Sequence, residues 1–405
     1  MKIGVGKLGK SIKFDRKKWV GAGGDCDGPM LIELLAKLNP DVTFHLIGKS
    51  DYRLLSDDQK VEYFPNNNVF DTIGKKDYID SAEASLKENL DGVIILTGPT
   101  GSTNLPNFSK DAKKKYYLKV LDIFKNYVAP IVKFLNEYDG KTIWLCVDPR
   151  YVPKARDIFV DKYPKEILSQ YNEKFTYKAY KNQDAAENYK STKVKYSTVY
   201  SGIETLFLCG KKKFDINNLD EAFKEKKNVL RIVLNQGLGS GGDDRYPILM
   251  KYIGKWGSDK CIKNVEIYGK WNDDIMEKDP RFKGIKTFDE LSELMRTCKA
   301  TLIIPIKKGW VTSKYVECMN GWDPSGNSLG CITFFGGSYD KQGHVIPKDH
   351  FLRTSPMEFK KKLAKVLTDD DFCKQLYKEQ YKILKDEYYT GEFLNELIMN
   401  KLKEQ

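Results

Sequence analysis

The residues best suited to chemistry lie between two apolar runs in the last third of the chain. Thr312 and Ser313 follow the apolar run at 300–306 and open a predicted helix that carries Lys314 and Glu317 one turn apart. Hydroxyl groups can cap a helix start, where the remaining free N–H groups and the positive dipole end attract phosphate. Lys314 adds a mobile positive charge, and Glu317 projects from the same helix face. A cation for a diphosphate and a carboxylate for a ribose diol predict a nucleotide-sugar site.

The same pair has a simpler interpretation, which stays open. Lys and Glu three residues apart often form a solvated pair on a helix surface. Their place after a strand that reads as buried favours a ligand, because open α/β sheets bind ligands at the carboxyl ends of their strands.

A glycine-rich loop provides a second candidate anion site. The sequence NQGLGSGGDDR follows an apolar strand, and its loop includes Gly239 and Ser240 before Arg245 enters the first turn of a helix. Bare main-chain N–H groups in such a loop can form an anion nest, and an arginine fork fits a diphosphate. A flexible interdomain loop is the alternative.

Two acidic positions are candidates for proton transfer. Asp148, in LCVDPR, comes just after an apolar strand, where a general base would face a cleft, and Arg150 could orient it. An Asp-Pro turn explains the same residues without chemistry. Asp27 precedes a helix and could cap it, bind a metal or contact a sugar hydroxyl, with capping the default.

Glycines near two strands of the first half are weaker signals. Gly4, Gly6 and Gly9 match Gly-x-Gly-x-x-Gly, but only three residues precede Gly4, so we interpret them as part of a first strand and turn. Gly98 follows another apolar strand and is a candidate for the acceptor side.

Composition indicates a basic protein of more than one domain. The 405 residues include 68 lysines and arginines against 56 acids, for a formal net charge of +12, and 41% are hydrophobic. This length fits two or three domains. The charge favours a polyanionic partner such as nucleic acid, although a lysine-rich genome would give the same balance.

Cysteine and histidine usage favours a reduced protein in which these residues form no zinc or metal-protease site. The eight cysteines form no Cys-x-x-Cys pair and mostly lie in apolar runs, so we predict core thiols in a cytoplasmic protein. The three histidines do not give a metal-protease spacing, and we expect no metal site. We also expect no membrane contact, because no signal segment or spanning run is present.

Short apolar runs alternate with amphipathic ones, which is typical of parallel α/β sheets. The strands are predicted at 2–5, 42–47, 92–96, 142–147, 205–209, 229–234, 265–268, 301–306 and 331–335. The helices are predicted at 30–38, 82–89, 110–138, 155–170, 245–253, 288–297 and, in several pieces, 357–404, with a surface loop at 178–195. We predict an N-terminal Rossmann-like domain over 1–210 completed by a helix at about 385–405, a linker at 211–227, and a nucleotide-sugar domain over 228–384.

Together these segments resemble the phage DNA β-glucosyltransferases, which move glucose from UDP-glucose to 5-hydroxymethylcytosine in duplex DNA. The likeness rests on the order of VEIYG at 265–269, FKGIK at 282–286, the strand at 300–305 and TSKYVE at 312–317, and more loosely on CVDPR at 146–150. The resemblance implies a GT-B fold, with two Rossmann-like domains facing a central cleft and C-terminal helices that cross back to the N-terminal domain.

The resemblance also implies roles for the matched residues. Asp148 corresponds to the catalytic base that deprotonates the hydroxymethyl group, and Asp27 falls near a family glutamate close to the sugar and acceptor. Glu317 corresponds to the carboxylate that holds the uridine ribose. The other donor-site matches are Lys314 and Arg245 at the diphosphate and Gly284, Ile285 and Lys286 at the uracil. Gly239 and Ser240 complete the predicted donor site, and Arg150 and Gly98 the acceptor side.

Departures from the family leave the substrates open. Lys314 replaces one family arginine. Ser240 and its neighbouring glycines stand where the family has a second arginine, in the phosphate loop. Inserts at 52–75 and 178–195 are compatible with a different sugar, such as arabinose, or with hydroxymethyluracil or an already glycosylated base as acceptor.

The expected partners are a UDP-sugar and double-stranded DNA containing a hydroxymethylated pyrimidine. We expect a monomer in the host cytoplasm, with a divalent cation, Mg²⁺ or Mn²⁺, left open. Two alternatives remain: a GT-B enzyme acting on a glycan or lipid-linked acceptor, and an inactive DNA-binding protein on the same scaffold.

Overall fold

The protein divides into two compact units, each built on a parallel sheet. The computed structural model describes residues 1–8, 11–18, 27–71, 89–97, 131, 134, 137–146, 166–169, 195–198, 214–237, 244–304, 318–319, 321, 328–336, 352–384 and 391–404. The first unit comprises Met1–Asp15, Gly24–Val199 and Leu394–Gln405. The second comprises Arg16–Gly23 and Tyr200–Phe393.

The first unit contains a seven-stranded sheet in the order β3-β2-β1-β4-β5-β6-β7. Its strands are β1 (Lys2–Leu8), β2 (Thr43–Ile47), β3 (Val69–Asp71), β4 (Gly92–Thr97), β5 (Thr142–Cys146), β6 (Glu166–Ser169) and β7 (Lys195–Thr198). All neighbours pair in parallel. The sheet grows outward from β1 to β3 and then builds from β4 to β7 on the other side, so the order reverses between β1 and β4. Ligands of doubly wound sheets bind beside the carboxyl ends of such strands.

Glycines in β1 allow close packing at the centre of this sheet. A Cβ at Gly4 would lie 2.6 Å from Ile47 Cδ1 and 2.7 Å from Leu90 Cδ1. The prediction that these glycines belong to a first strand is confirmed for Gly4 and Gly6, while Gly9 lies outside the described residues.

Three labelled helices belong largely to the first unit: α1 (Asp27–Leu38), α2 (Asp57–Tyr63) and α9 (Gly391–Lys403). A capping box between Ser56 and Gln59 begins α2. In α9, Ile398 and Leu402 are buried, and Asn39, just after α1, donates through its Nδ2 to Asn395 Oδ1 (2.5 Å). The helix α9 therefore completes the first unit.

The second unit contains a five-stranded sheet in the order β10-β9-β8-β11-β12. Its strands are β8 (Lys227–Val233), β9 (Val265–Tyr268), β10 (Phe282–Gly284), β11 (Cys298–Ile303) and β12 (Ile332–Phe335), all paired in parallel. β11 is buried along its whole length, as a central parallel strand should be. Here the strand order reverses between β8 and β11.

Helices surround this second sheet. They are α3 (Leu219–Phe223), α4 (Tyr246–Ile253), α5 (Asp273–Lys278), α6 (Phe288–Arg296), α7 (Pro356–Thr368) and α8 (Asp370–Leu384). Gln380 on α8 accepts a hydrogen bond from Thr333 N (2.9 Å) and donates to Cys331 O (2.9 Å), so its amide completes the free edge of β12. Cys298, Cys318, Cys331 and Cys373 are buried free thiols, as predicted.

Residues 214–226 pack on the second unit. Phe214, Leu219 and Phe223 are buried, and the Tyr381 hydroxyl donates to Phe214 O (2.6 Å). The Lys226 ammonium donates to three carbonyl oxygens, those of Arg296, Leu329 (2.9 Å) and Gly330 (2.5 Å). The extent of the linker between domains stays a prediction.

One predicted helix is wrong where the structure describes it. Residues Glu166–Ser169 form β6, although we predicted a helix over 155–170. Pro164 explains the error, because a proline disfavours the helical conformation of the residue before it and removes a hydrogen-bond donor. The apolar run after it is short enough to fit either a strand or a buried helix segment.

Other element predictions fall partly outside the described residues. The strand at 205–209 lies wholly outside them, and the helices at 82–89 and 110–138 and the loop at 178–195 lie mostly outside. Among the helices that the structure describes, none combines the length and apolar character needed to cross a bilayer.

Candidate functional site

The carboxyl ends of β8 and β11 mark the candidate site in the second unit. β8 and β11 are hydrogen-bonded neighbours at the point where the strand order reverses. The glycine-rich loop and Arg245 follow β8 in sequence, and the segment with Lys314 and Glu317 follows β11. Parallel α/β sheets bind ligands in the crevice at this position.

Arg245 is held at the start of α4 by the residues that leave β8. Its main-chain N–H donates to Gln236 O (3.0 Å), and its Nη1 donates to Asn235 O (2.7 Å). Its Nε is buried and has no hydrogen-bond partner within the described part of the protein. Burial lowers the pKa of Arg245 to about 10, so the guanidinium is still charged at neutral pH. An unsatisfied, charged donor at a helix start is suited to binding an anion.

Two amides and a glycine join the ends of β8 and β9. The Asn235 Oδ1 accepts a hydrogen bond from Lys270 N (2.8 Å), and Gln236 Oε1 accepts one from Asn272 N (3.1 Å). Gly269 has φ +144°, and a Cβ there would overlap the Leu234 carbonyl. The backbone that carries Arg245 is therefore fixed before any ligand binds.

One carboxylate already occupies part of the helix start. Asp244 Oδ1 accepts a hydrogen bond from Tyr246 N (3.0 Å) and lies 3.4 Å from Gln236 Nε2. Asp244 therefore satisfies one of the free N–H groups of α4, and the Arg245 guanidinium adds a positive charge at the same helix start.

The turn after β10 leaves backbone groups open. Gly284 O accepts a hydrogen bond from Gly269 N (2.8 Å), which connects this turn to the end of β9, and Gly284 has φ +76°. The Ile285 residue is 54% exposed. Lys286 Nζ is engaged by Glu290 Oε1 at 2.8 Å. Among the described residues, the backbone N–H groups of Ile285 and Lys286 have no acceptor. These free groups could bind the polar edge of a base.

The structure connects four of the predicted site residues. Asn235 bonds both Arg245 and the β9 end, and the β9 end bonds Gly284, so Arg245 and the turn at Gly284, Ile285 and Lys286 share one edge of one sheet. Asp27 is the first residue of α1, and its side chain is not described. The remaining candidates lie outside the described residues: Gly98, Asp148, Arg150, Gly239, Ser240, Lys314 and Glu317.

Asn235 and Gln236 are site-forming residues that sequence reasoning did not single out. The available signal was two amide residues directly after a buried strand, where the backbone leaves the sheet and its polar groups need partners. Glycines drew attention to the loop itself, whereas the amides hold its base.

No described group of three or more His, Cys, Asp or Glu side chains is arranged to hold a metal ion. The described part of the site therefore contributes a cation and open backbone groups.

Comparison with known proteins gives a match at the level of fold. No protein-family model matches the sequence, and no curated protein does. A solved structure of the DNA modifying enzyme β-glucosyltransferase, studied with and without its substrate uridine diphosphoglucose, is 15% identical, with 100% of both proteins covered and a TM-score of 0.56. Anabaena Alr3699/HepE in complex with UDP and glucose is 11% identical, covering 100% of this protein and 99% of that one, with a TM-score of 0.49. A Listeria monocytogenes structure described as a putative UDP-N-acetylglucosamine 2-epimerase is 9% identical, covering 99% of this protein and 95% of that one, with a TM-score of 0.45.

The likeness to the β-glucosyltransferase structure and the two parallel sheets confirm the predicted fold class, a two-domain α/β fold of GT-B type.

Proposed function

We propose that the protein is an inverting glycosyltransferase that moves a sugar from a UDP-sugar to the hydroxymethyl group of a modified pyrimidine in duplex DNA. The observation that carries the proposal is Arg245 at the start of α4, beside the reversal point of the second sheet: it is charged, and its buried Nε has no partner among the described residues. The fold likeness extends over the whole of a DNA modifying enzyme whose substrate is uridine diphosphoglucose. Glucose is the first candidate sugar, and arabinose the second.

Arg245 would stabilise the leaving UDP. Negative charge develops on the diphosphate as the bond to the sugar breaks, and a preorganised cation stabilises that charge without rearranging. Asn235 and Gln236 already fix the backbone and one guanidinium nitrogen of Arg245. Its Nε is left for a phosphate oxygen. Lys314, Gly239 and Ser240 are proposed to complete the diphosphate contacts, and Glu317 to hold the ribose.

The turn at Gly284, Ile285 and Lys286 would bind uracil through its backbone. Uracil presents an N–H donor and carbonyl acceptors along one edge, which backbone C=O and N–H groups complement. Because Lys286 is already paired with Glu290, its charge is not needed for this role. The exposed Ile285 offers an apolar contact beside those groups.

Asp148 is proposed to be the general base. It follows β5 by two residues, and so comes just after the carboxyl end of a strand in the first sheet. Its carboxylate would take the proton of the acceptor hydroxyl as the oxygen attacks the anomeric carbon from the side opposite UDP. One such displacement inverts the configuration. Asp27, Arg150 and Gly98 are proposed to line the acceptor side.

The choice of DNA as acceptor rests on the charge and on the fold likeness. A net charge of +12 favours binding to a phosphate backbone without reading sequence. A base whose hydroxymethyl group must reach a catalytic carboxylate of the enzyme has to leave the helical stack. We propose that the first unit holds this base and the second unit holds the donor.

Nucleoside mass spectrometry tests the proposal. The protein is incubated with a panel of UDP-sugars and duplexes that contain cytosine, 5-hydroxymethylcytosine, 5-hydroxymethyluracil or a glucosylated base. We expect one sugar-sized mass gain on one modified base, with stoichiometric release of UDP. UDP release to a glycan acceptor without modification of any duplex would instead show a different acceptor class.

A further inference from the structure

A loop at the edge of the second sheet opposite the candidate donor site exposes a tryptophan, Trp256. α4 ends at Ile253, and residues 254–264 then form a loop before β9 begins at Val265. In a parallel sheet, the connection that leads into a strand lies at the amino-terminal edge. Arg245 and the turn after β10 lie at the carboxyl-terminal edge. This loop is therefore separate from the candidate donor site, although both belong to the second unit.

The loop is closed at its base by a buried arginine. Ile262 N donates to Ile253 O (2.8 Å), which joins the two ends of the loop. The Arg281 guanidinium, 2% exposed, donates to the carbonyl oxygens of Ile253 (3.2 Å), Gly254 (2.9 Å) and Ile262 (3.1 Å). Asp279 balances its charge, with Oδ2 2.7 Å from Nη2. A guanidinium with this many partners holds the loop in one shape.

The inside of the loop is also ordered. Ser258 N donates to Lys255 O (3.1 Å), and Cys261 N donates to Ser258 O (2.9 Å). Gly254 and Gly257 have φ +75° and φ +80°, the left-handed region that glycine adopts without strain. A compact surface loop with its ends joined and its interior hydrogen-bonded keeps its shape without a partner.

Trp256 projects from this fixed loop and is 43% exposed. The Arg281 guanidinium carbon lies 5.5 Å from the centroid of its ring, so a cation supports the indole from the protein side. Phe282, at the start of β10, is buried. An indole that is partly exposed on a hydrogen-bonded loop offers a flat surface for stacking.

Several exposed lysines lie close to Trp256 in the sequence. Residues 251–263 contain four lysines and one aspartate, namely Lys251, Lys255, Asp259, Lys260 and Lys263. All five are exposed. Lys360 on α7 donates to Lys260 O (3.4 Å), which adds another positive charge beside the loop. Neither Lys255 nor Lys260 has a carboxylate partner within the described residues, so both ammonium groups are available to an anion.

We propose that this surface, Trp256 with Lys255 and Lys260, binds single-stranded DNA. Unpaired bases stack on an exposed aromatic ring, while lysines neutralise the phosphates between them. Paired bases in a duplex cannot reach a protruding indole in this way, which favours the single strand. The choice of DNA rests on the proposed function. Binding here would hold the protein near unpaired DNA and leave the donor site free.

Fluorescence anisotropy with a labelled oligothymidine and the full-length protein tests the proposal. We expect Trp256→Ala to weaken binding about fivefold or more, since this is the effect of losing the stacking of one base on an aromatic ring. Trp256→Phe keeps a stacking ring and should bind within about threefold of wild type, which controls for folding. Met357→Ala removes another exposed apolar side chain, on α7, and should have no effect.

The contribution of the two lysines to binding is measured from the dependence of affinity on salt concentration. Lys255→Glu with Lys260→Glu should lower the slope of log affinity against log salt by about 1.4, because each single-strand phosphate contact contributes about 0.7. Lys378→Glu with Lys382→Glu changes the same charge on the exposed face of α8 and should leave the slope within error. The proposal is wrong if Trp256→Ala binds as wild type does, if both charge-reversed pairs behave alike, or if RNA of the same sequence binds more tightly than DNA.

Sugar transfer is measured separately on the same variants with a short modified duplex. If Trp256→Ala loses single-strand binding while the wild type transfers no sugar, the result would support single-strand binding at this surface and contradict the proposed function. Sugar transfer combined with unchanged single-strand binding in Trp256→Ala would contradict this surface alone.

Discussion

Replacing Arg245 should weaken UDP binding strongly while it changes the free energy of unfolding without ligand only slightly. In the unliganded protein its guanidinium donates one hydrogen bond to Asn235 O, while its Nε is buried without a described partner. Arg245→Met loses that bond and also removes a buried charge that the described residues do not fully compensate. The two effects oppose each other, so we expect the free energy of unfolding without ligand to change by less than about 1 kcal/mol.

The effect on UDP binding should be much larger. A hydrogen bond to a charged group contributes about 1.5–3 kcal/mol, so Arg245→Met should raise the dissociation constant for UDP roughly tenfold to hundredfold. At saturating UDP the wild type gains stability from its ligand, and the variant should lose about the same 1.5–3 kcal/mol of that gain. Arg245→Lys keeps the charge without the planar guanidinium, so its dissociation constant for UDP should lie between those of the wild type and Arg245→Met.

Titration calorimetry with UDP gives the dissociation constant, and thermal unfolding with and without UDP gives the ligand-dependent gain. Arg296→Ala is the matched control, because Arg296 is a surface arginine of the same unit, paired with Glu293. If Arg245→Met binds UDP within twofold of wild type, Arg245 does not contact the diphosphate.

Three further predictions concern the second unit, and urea unfolding measures each of them. Arg281→Leu should lower the free energy of unfolding by about 3–5 kcal/mol, because it leaves the buried Asp279 carboxylate unpaired; a loss below about 1 kcal/mol would contradict this. Gly254→Ala should lower the free energy of unfolding by about 1–3 kcal/mol more than Gly257→Ala does. Both glycines have a positive φ, but only at Gly254 would an added Cβ overlap a neighbouring carbonyl. Equal losses for the two variants would contradict this prediction. Burial lowers the pKa of Lys226 to about 8, below its unfolded value, so the unfolded state binds more protons between pH 8 and 10.5. Stability should therefore rise with pH, by about 2 kcal/mol from pH 7.5 to 9.5 relative to Lys226→Met, and a parallel pH dependence of the two proteins would contradict this.

Hydrophobic periodicity was sufficient to predict much of the second unit. The strand at 265–268 has the predicted bounds, and the break between α7 and α8 falls where an aspartate run interrupts the pattern. Local signals agree with tertiary structure in these segments: Ser355 and Glu358 form a capping box, and Phe359 and Leu363 then face the core. Agreement at both levels makes an element predictable.

Elements whose stability comes from distant contacts were harder to predict. β3 and β10 are three residues each, too short for a period to appear, and they exist because neighbouring strands supply hydrogen bonds. The candidate site has the same property. Residue types and position predicted Arg245, and the family resemblance implied the turn after β10. The Asn235 and Gln236 bonds that connect the base of the loop to the end of β9 join residues about 35 apart in sequence.

Sugar transfer in Asp148→Asn, compared with wild type on the same modified duplex, tests the central claim most directly. The substitution removes the proposed base and keeps its size, so we predict that the sugar-sized mass gain on the base is lost while UDP still binds with wild-type affinity. A full mass gain in Asp148→Asn would contradict the assignment of the base, and no gain in the wild type on any modified duplex would contradict the assignment of DNA as acceptor.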